Sequence, residues 1–201
     1  MTLKWILAGW LLSGVASVIA GDPPPAAIAP KPARDLDVSY ATGVLFGLNN
    51  RNNYVTMPNI VTLRWFLLQS DWFGGQLRAE QWLGVSLVGT AIVRGPETHY
   101  FGIALASGTR VRQPGSRWSL QFDAHGGVGA IDSRGVPDGQ GQDFTITAIG
   151  RMSLNYDISN RLTISGGALY QHFSNAGLSE PKMRNTGLDT IGPSFSVGYR
   201  F

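Results

Sequence analysis

The sequence predicts an all-β fold, an eight-stranded antiparallel transmembrane β-barrel, and three observations predict it. From residue 36 onward, apolar and polar residues alternate with period two in separate segments. Charged residues make up only 14% of the 201 residues, where about 25% is usual in a soluble domain. Beyond the N-terminal region no apolar run approaches the roughly 20 residues that a spanning helix needs. Lipid cannot satisfy open backbone groups, so a closed barrel is the remaining way to cross.

The chain opens with a secretory signal pattern over residues 1–20. Lys4 supplies the positive charge, Trp5 to Leu12 begins an apolar segment that continues through Val15 to Ile19, and Val18 and Ala20 place small residues before an expected cut after Ala20. Residues 21–35 carry Pro23, Pro24, Pro25, Pro30 and Pro32, which favours an extended tether on the periplasmic side. The barrel is expected over residues 36–201. The absence of cysteine excludes disulfides and thiolate metal sites, and also a lipid anchor on an N-terminal cysteine.

The eight expected strands are 36–48, 59–68, 77–89, 99–111, 117–130, 143–156, 161–174 and 190–201. The last shows the alternation best: Ile191, Pro193, Phe195, Val197, Tyr199 and Phe201 against Gly192, Ser194, Ser196, Gly198 and Arg200. The fifth sets Trp118, Leu120, Phe122 and Ala124 against Ser119, Gln121, Asp123 and His125, and the sixth sets Phe144, Ile146, Met152 and Leu154 against Thr147, Arg151, Ser153 and Asn155. A soluble sandwich would hide the apolar face, and a membrane barrel turns it outward. The polar face carries Arg64, Arg78, Glu80, Arg110, Arg117, Asp123, His125 and Arg151, which predicts a narrow interior filled by a salt-bridge network. Trp65, Trp118, Tyr156 and Tyr199 stand near segment ends, as interface girdles do.

Short turns at 112–116 and 157–160 alternate with longer links at 49–58, 90–98, 131–142 and 175–189, the outer-membrane pattern. The link at 69–76 is the exception, long for a periplasmic turn. The chain ends on Phe201, which resembles the assembly signal of outer-membrane barrel proteins.

Strand seven carries an anomaly. Leu162, Ile164, Gly166, Ala168 and Tyr170 lie on the lipid-facing side, and the same parity brings His172 and Ser174 to that side. Polar groups are costly in hydrocarbon unless they lie at the interface or act there. With a periplasmic N-terminus, odd strands run outward and strand seven ends near the outer leaflet. Residues two apart on a strand point the same way with Cα atoms roughly 6.5–7 Å apart, so an imidazole can take the serine proton and make a nucleophile. Asp189 opens the antiparallel strand eight with matching parity and is the acid placed to orient the imidazole. Glu180, in the preceding loop, is the competing acid.

The stretch His172-Phe173-Ser174-Asn175-Ala176-Gly177-Leu178 resembles the signature of the lipid A 3-O-deacylase (PagL-type) family, closely over residues 170–201 and loosely over the barrel. The resemblance implies an eight-stranded outer-membrane barrel with a membrane-facing Ser–His–Glu triad. Ser174 is then the nucleophile, His172 the base, and Asn175 and the Gly177 N–H the oxyanion-stabilising donors. The family's acid falls at Asp189 after extra residues around Lys182-Met183-Arg184, so aspartate stands where the family has glutamate. The implied substrate is lipid A of lipopolysaccharide, cut at an acyl ester, with no metal or organic cofactor. The implied location is the outer membrane, and pairing with a second copy is left open.

Bland readings stand beside these. Asn175 and Gly177 suit a turn, Asp189 suits a solvated loop end, and His172 with Ser174 suits an interfacial strand end. His125 with Asp123 faces the interior and reads as structural, and His99 reads as interfacial. A formal charge of +3 is too small to imply nucleic-acid binding. Eight strands leave little room for a pore, so the competing class is a non-enzymatic structural or adhesin-type barrel.

Overall fold

The structure, a computed structural model, describes residues 36–48, 53–137, 139–178 and 187–201. The expected signal segment, the proline-rich tether and Glu180 lie outside the described residues.

The described chain forms one ring of antiparallel strands. Strand β1 runs in two stretches, Leu36–Gly43 and Leu45–Gly47. It is followed by β2 (Val55–Trp72), β3 (Leu77–Arg94), β4 (His99–Arg112), β5 (Trp118–Ile131), β6 (Phe144–Asp157), β7 (Leu162–Ser174) and β8 (Leu188–Arg200). Each strand pairs with its sequence neighbours, and β1 pairs with both β2 and β8, which closes the ring. Closure satisfies every ladder and leaves no edge to lipid.

The burial pattern matches a membrane barrel. Outward residues are large, apolar and exposed, among them Leu87, Ile103, Phe122, Leu154, Phe195 and Leu105, the last 74% exposed. So broad an apolar exterior is foreign to a soluble monomer. On the outer face the aromatic contacts gather at the end with the short hairpins, here called the turn end: Trp118 lies 4.8 Å from Tyr156 and Tyr199 lies 5.3 Å from Phe201, centroid to centroid.

The interior divides in two. Toward the turn end it is the expected polar network: Arg151 donates to Asp123 at 3.0 Å, Gln121 donates to Asp123 at 2.7 Å, and Arg110 donates to Gln121 at 3.1 Å. Toward the opposite, loop end an apolar cluster of Leu45, Ile60, Val88, Tyr100, Ile131, Leu169, Phe173 and Leu188 packs with uncharged polar groups, Gln171 bonding Thr90 and Thr147. The expectation of a charged interior therefore holds for half the lumen only. Odd and even positions mark the face; they do not mark height along the barrel.

Two strands are longer than expected. Val55–Trp72 begins before Pro58 and extends through the link expected at 69–76, leaving a tight turn at Phe73–Gly75. A bulge between Phe66 and Leu68 shifts the register, so Gln69 faces Glu80 and Asp71 faces Arg78. The shift exchanges inward and outward parity, and the period-two signal stops there although the ladder continues. With this turn short, the long and short connections alternate throughout. Strand β3 likewise runs on to Arg94.

The break in β1 has a local cause. In register, Gly43 falls opposite Pro58 of β2 and Val44 falls opposite Pro193 of β8. Prolines on both flanks each remove a donor. Val44 keeps a single bond, its N–H donating to the Pro193 carbonyl at 3.2 Å.

The Arg151–Asp123 pair is almost wholly buried. Asp123→Ala leaves an uncompensated guanidinium and should lower unfolding free energy in detergent by about 3–5 kcal/mol, whereas the double variant Asp123→Leu/Arg151→Met should recover most of it. Urea titration followed by tryptophan fluorescence checks both; equal losses in the two variants would contradict this account of the interior.

Candidate active site

Strand β7 alternates cleanly at its loop end. Leu169, Gln171, Phe173 and then Asn175 are buried inside, and Tyr170, His172 and Ser174 are partly exposed on the outer face. Phe173 meets Tyr100 edge-on at 4.9 Å, so the backbone carrying the outer residues is pinned from within.

His172 stands directly across the ladder from Asp189. The Asp189 carbonyl accepts the Leu48 N–H at 2.8 Å, so its backbone bonds go to the β1 side. Its pairing with His172 is thus the non-hydrogen-bonded kind, in which side chains come closest. His172 Nδ1 lies 2.8 Å from Asp189 Oδ1. Tyr170, one diagonal step away, donates its hydroxyl to the same oxygen. A carboxylate only accepts, so Nδ1 carries the hydrogen of that bond, and in the neutral imidazole Nε2 then presents the lone pair. Gly187, in the left-handed region at φ 53, leads the chain into β8 beside the imidazole; a Cβ there would lie 3.6 Å from His172 Cε1.

Ser174 ends β7 opposite Ile146. Its Oγ accepts the Ala176 N–H at 3.2 Å. Ala176 has φ 55, uncommon for a residue with a Cβ, and the Leu178 N–H donates to the Asn175 carbonyl at 3.1 Å to close the turn. Asn175 is fully buried on the inner side. Its amide donates to the Gln140 carbonyl at 2.7 Å and its Oδ1 accepts the Gly177 N–H at 3.0 Å. Of the residues the sequence singles out, His172, Ser174 and Asp189 therefore share one outer face. Asn175 points its side chain away from that face, and the Gly177 N–H is bonded to it.

The turn is anchored from behind by Glu97, only 2% exposed. Its carboxylate accepts from the Tyr54 hydroxyl at 2.5 Å, the Ser133 hydroxyl at 3.1 Å and the Gln140 N–H at 3.0 Å. Gly139 is required here, because a Cβ would lie 2.5 Å from Ser133 Oγ. Hydrogen bonds thus run from Glu97 through Gln140 and Asn175 to Gly177, joining loops distant in sequence to the turn after Ser174.

Sequence reasoning misses Tyr170 and Glu97. Tyr170 shares the parity of His172, but an aromatic near a strand end reads as a girdle residue. Glu97 sits in a short loop with no periodicity to read. The interior His125 accepts or donates with Ser86 at 2.9 Å, and Ser86 with Thr62 at 2.9 Å; Ser86 and Thr62 are buried in the lumen. His99 bonds Thr98 at 2.8 Å and lies 3.8 Å from Asp132. Among the described residues no group of three or more His, Asp or Glu is placed to hold a metal.

The family model described as lipid A 3-O-deacylase (PagL) matches residues 40–200. The crystal structure of the outer membrane enzyme PagL is similar at 21% identity and TM-score 0.53, over 82% of this chain and 99% of that one. The crystal structure of Neisserial surface protein A (NspA) is similar at 11% identity and TM-score 0.56, over 83% of this chain and 97% of that one. Both likenesses are likenesses of fold. No curated protein matches the sequence.

The bonds of the turn are open to measurement. Asn175→Ala removes the acceptor of the Gly177 N–H, and one such bond contributes about 1 kcal/mol. Amide exchange at Gly177 should accelerate roughly fivefold to tenfold while β6 and β7 keep their protection; an unchanged rate at Gly177 would mean that Asn175 does not hold the turn.

Proposed function

The chain belongs to the lipid A 3-O-deacylase family, and on that premise we propose that it is an outer-membrane hydrolase that cuts the 3-O-linked acyl ester of lipid A with Ser174, His172 and Asp189. The observation that carries the reading is the Tyr170–Asp189–His172 hydrogen-bonded set on the lipid-facing wall. Polar groups in that position are costly unless they serve something that approaches from the lipid. With the N-terminus periplasmic, the loop end meets the outer leaflet, where lipid A lies.

In the proposed reaction Ser174 Oγ attacks the ester carbonyl carbon while His172 Nε2 takes its proton. The tetrahedral intermediate collapses, the bond to the sugar oxygen breaks, and His172 returns the proton to that oxygen. Water then attacks the acyl-Ser174 ester through the same base, releasing the fatty acid and restoring the serine. Asp189 holds the Nδ1–H tautomer and stabilises the imidazolium. It stands directly opposite His172, so the shorter aspartate has no gap to bridge, which supports it over Glu180 as the third member. Tyr170 positions that carboxylate from the other side. Donors for the oxyanion come from the turn after Ser174. The Ala176 N–H, already 3.2 Å from Ser174 Oγ, joins the Gly177 N–H as a candidate, and Gly177 serves by exchanging its bond to Asn175 for one to the oxyanion; the Asn175 amide, turned inward to the Gln140 carbonyl, holds the turn instead of donating.

Purified protein in detergent, given lipopolysaccharide and followed by mass spectrometry, tests the reading. Wild type should remove one acyl chain, and Ser174→Ala should be folded and slower by on the order of 10⁴-fold or more. No acyl loss from wild type would favour a non-enzymatic barrel instead.

Tyr170 gives a separate test. Tyr170→Phe should lower kcat roughly tenfold with little change in KM, because one bond that orients the carboxylate is lost. Added to Asp189→Asn it should have almost no further effect, since the two act through one carboxylate. Fully additive losses would remove Tyr170 from the set, and a larger effect of Glu180→Gln than of Asp189→Asn would move the acid to Glu180.

A further inference from the structure

The end of the barrel opposite the candidate active site holds a cavity of about 470 Å³, open at the mouth. Seven arginines line it against three carboxylates. The carboxylates are unevenly used. Arg112 takes two of them, Glu80 and Asp157, each at 2.9 Å, and Arg78 pairs with Asp71 at 3.3 Å. Only Asp37 remains, across the ladders from Arg64 and Arg200.

The other five arginines are in no ion pair among the described residues. Arg64 and Arg110 form the floor, each only 6% exposed. Their bonding partners are neutral: Ser39 for Arg64 and Gln121, at 3.1 Å, for Arg110. The Arg64 guanidinium lies 4.7 Å from the centroid of the Trp82 ring, and its Nε is buried without a partner. Arg117, Arg161 and Arg200 form the rim, but the Arg161 guanidinium reaches outward to the Tyr199 hydroxyl at 3.5 Å, which leaves Arg117 and Arg200 as the rim donors. A guanidinium removed from bulk water without a counter-charge is costly, and a lumen that needed only filling would be served by paired charges of the Arg112 kind. Unpaired donors converging from floor and rim match the geometry that binds phosphate oxygens.

We propose that this vestibule is a binding site for a phosphate-bearing anion, of the phosphate or diphosphate class, with Arg64 and Arg110 as deep donors and Arg117 and Arg200 as entry donors. The mouth opens along the barrel axis and not through the lipid-facing wall, so the ligand enters from the aqueous side. In the orientation proposed above that side is the periplasm. The site is separate from the outer face that carries His172 and Ser174, and occupancy would stabilise the folded barrel by linkage.

Wild-type protein in neutral detergent, titrated calorimetrically with inorganic diphosphate at ionic strength matched by sodium chloride, tests the proposal. Saturable binding at one site per chain, with a raised unfolding temperature, is expected. Arg110→Gln should weaken it about tenfold or more. The rim double variant Arg117→Gln/Arg200→Gln, whose residues are not packed in the floor, should weaken it comparably if folding fails in the first. Adding phosphatidylglycerol to the micelles separates two sources: unchanged diphosphate affinity supports a soluble ligand, and competition supports phosphate recognition through a lipid headgroup. Heat no different from the chloride control, or binding unaltered in the folded rim variant, would overturn the proposal. Acyl removal from lipopolysaccharide is read separately on the same samples and should be unchanged in the variants, so failure of the deacylase reading leaves this result interpretable.

Discussion

Closure of the ladder is the constraint on which the rest of the structure depends. A strand in a closed ring has both neighbours bonded, so each residue can only face lipid or lumen, and its parity decides which. That division puts Leu105, Phe122 and Phe195 outside and Asp123, Arg151 and Gln171 inside. It also removes any neutral place for a polar side chain. His172, Ser174 and Asp189 on the outer side are therefore exceptions, like Asn59 with Tyr40, but only they bring an imidazole, a hydroxyl and a carboxylate together at the loop end of two adjacent strands.

The same ladder gives the site its geometry. Opposite residues in a non-hydrogen-bonded pair bring side chains together without help from a loop, which is how His172 and Asp189 meet at 2.8 Å. Behind the wall, the apolar half of the lumen holds Phe173 and Leu188, and the Glu97 hub holds the turn through Gln140 and Asn175. Sites supported on rigid elements keep their geometry better than sites on loops. Here the proposed base and acid ride on strands, and only the proposed donors at Ala176 and Gly177 belong to a turn.

Much of this is legible in the amino-acid sequence because parity is a local signal. Strands β5 to β8 read to within a residue or two, and the shared outward parity of His172, Ser174 and Asp189 follows from counting along two strands. What is not legible involves events that counting cannot see. The bulge after Phe66 exchanges inward and outward parity, so β2 reads as ending where it continues to Trp72. Pro58 falls in the link expected at 49–58, yet it lies within β2 beside the interruption of β1. The apolar plug depends on height along the barrel axis, and the diagonal from Tyr170 to Asp189 depends on the register between strands. The inward direction of Asn175 does follow from its odd number, and that direction sets its amide apart from the face of Ser174.

The central claim is that Ser174 is an activated nucleophile presented to lipid. A long-chain alkyl fluorophosphonate reports this directly, because it partitions into the detergent or bilayer around the barrel and reacts only with a serine whose hydroxyl is activated by a base. After incubation, peptide mass spectrometry should find a single adduct on Ser174 in the wild type and none in His172→Ala. No adduct in the folded wild type, or an adduct on a different serine, would contradict the account.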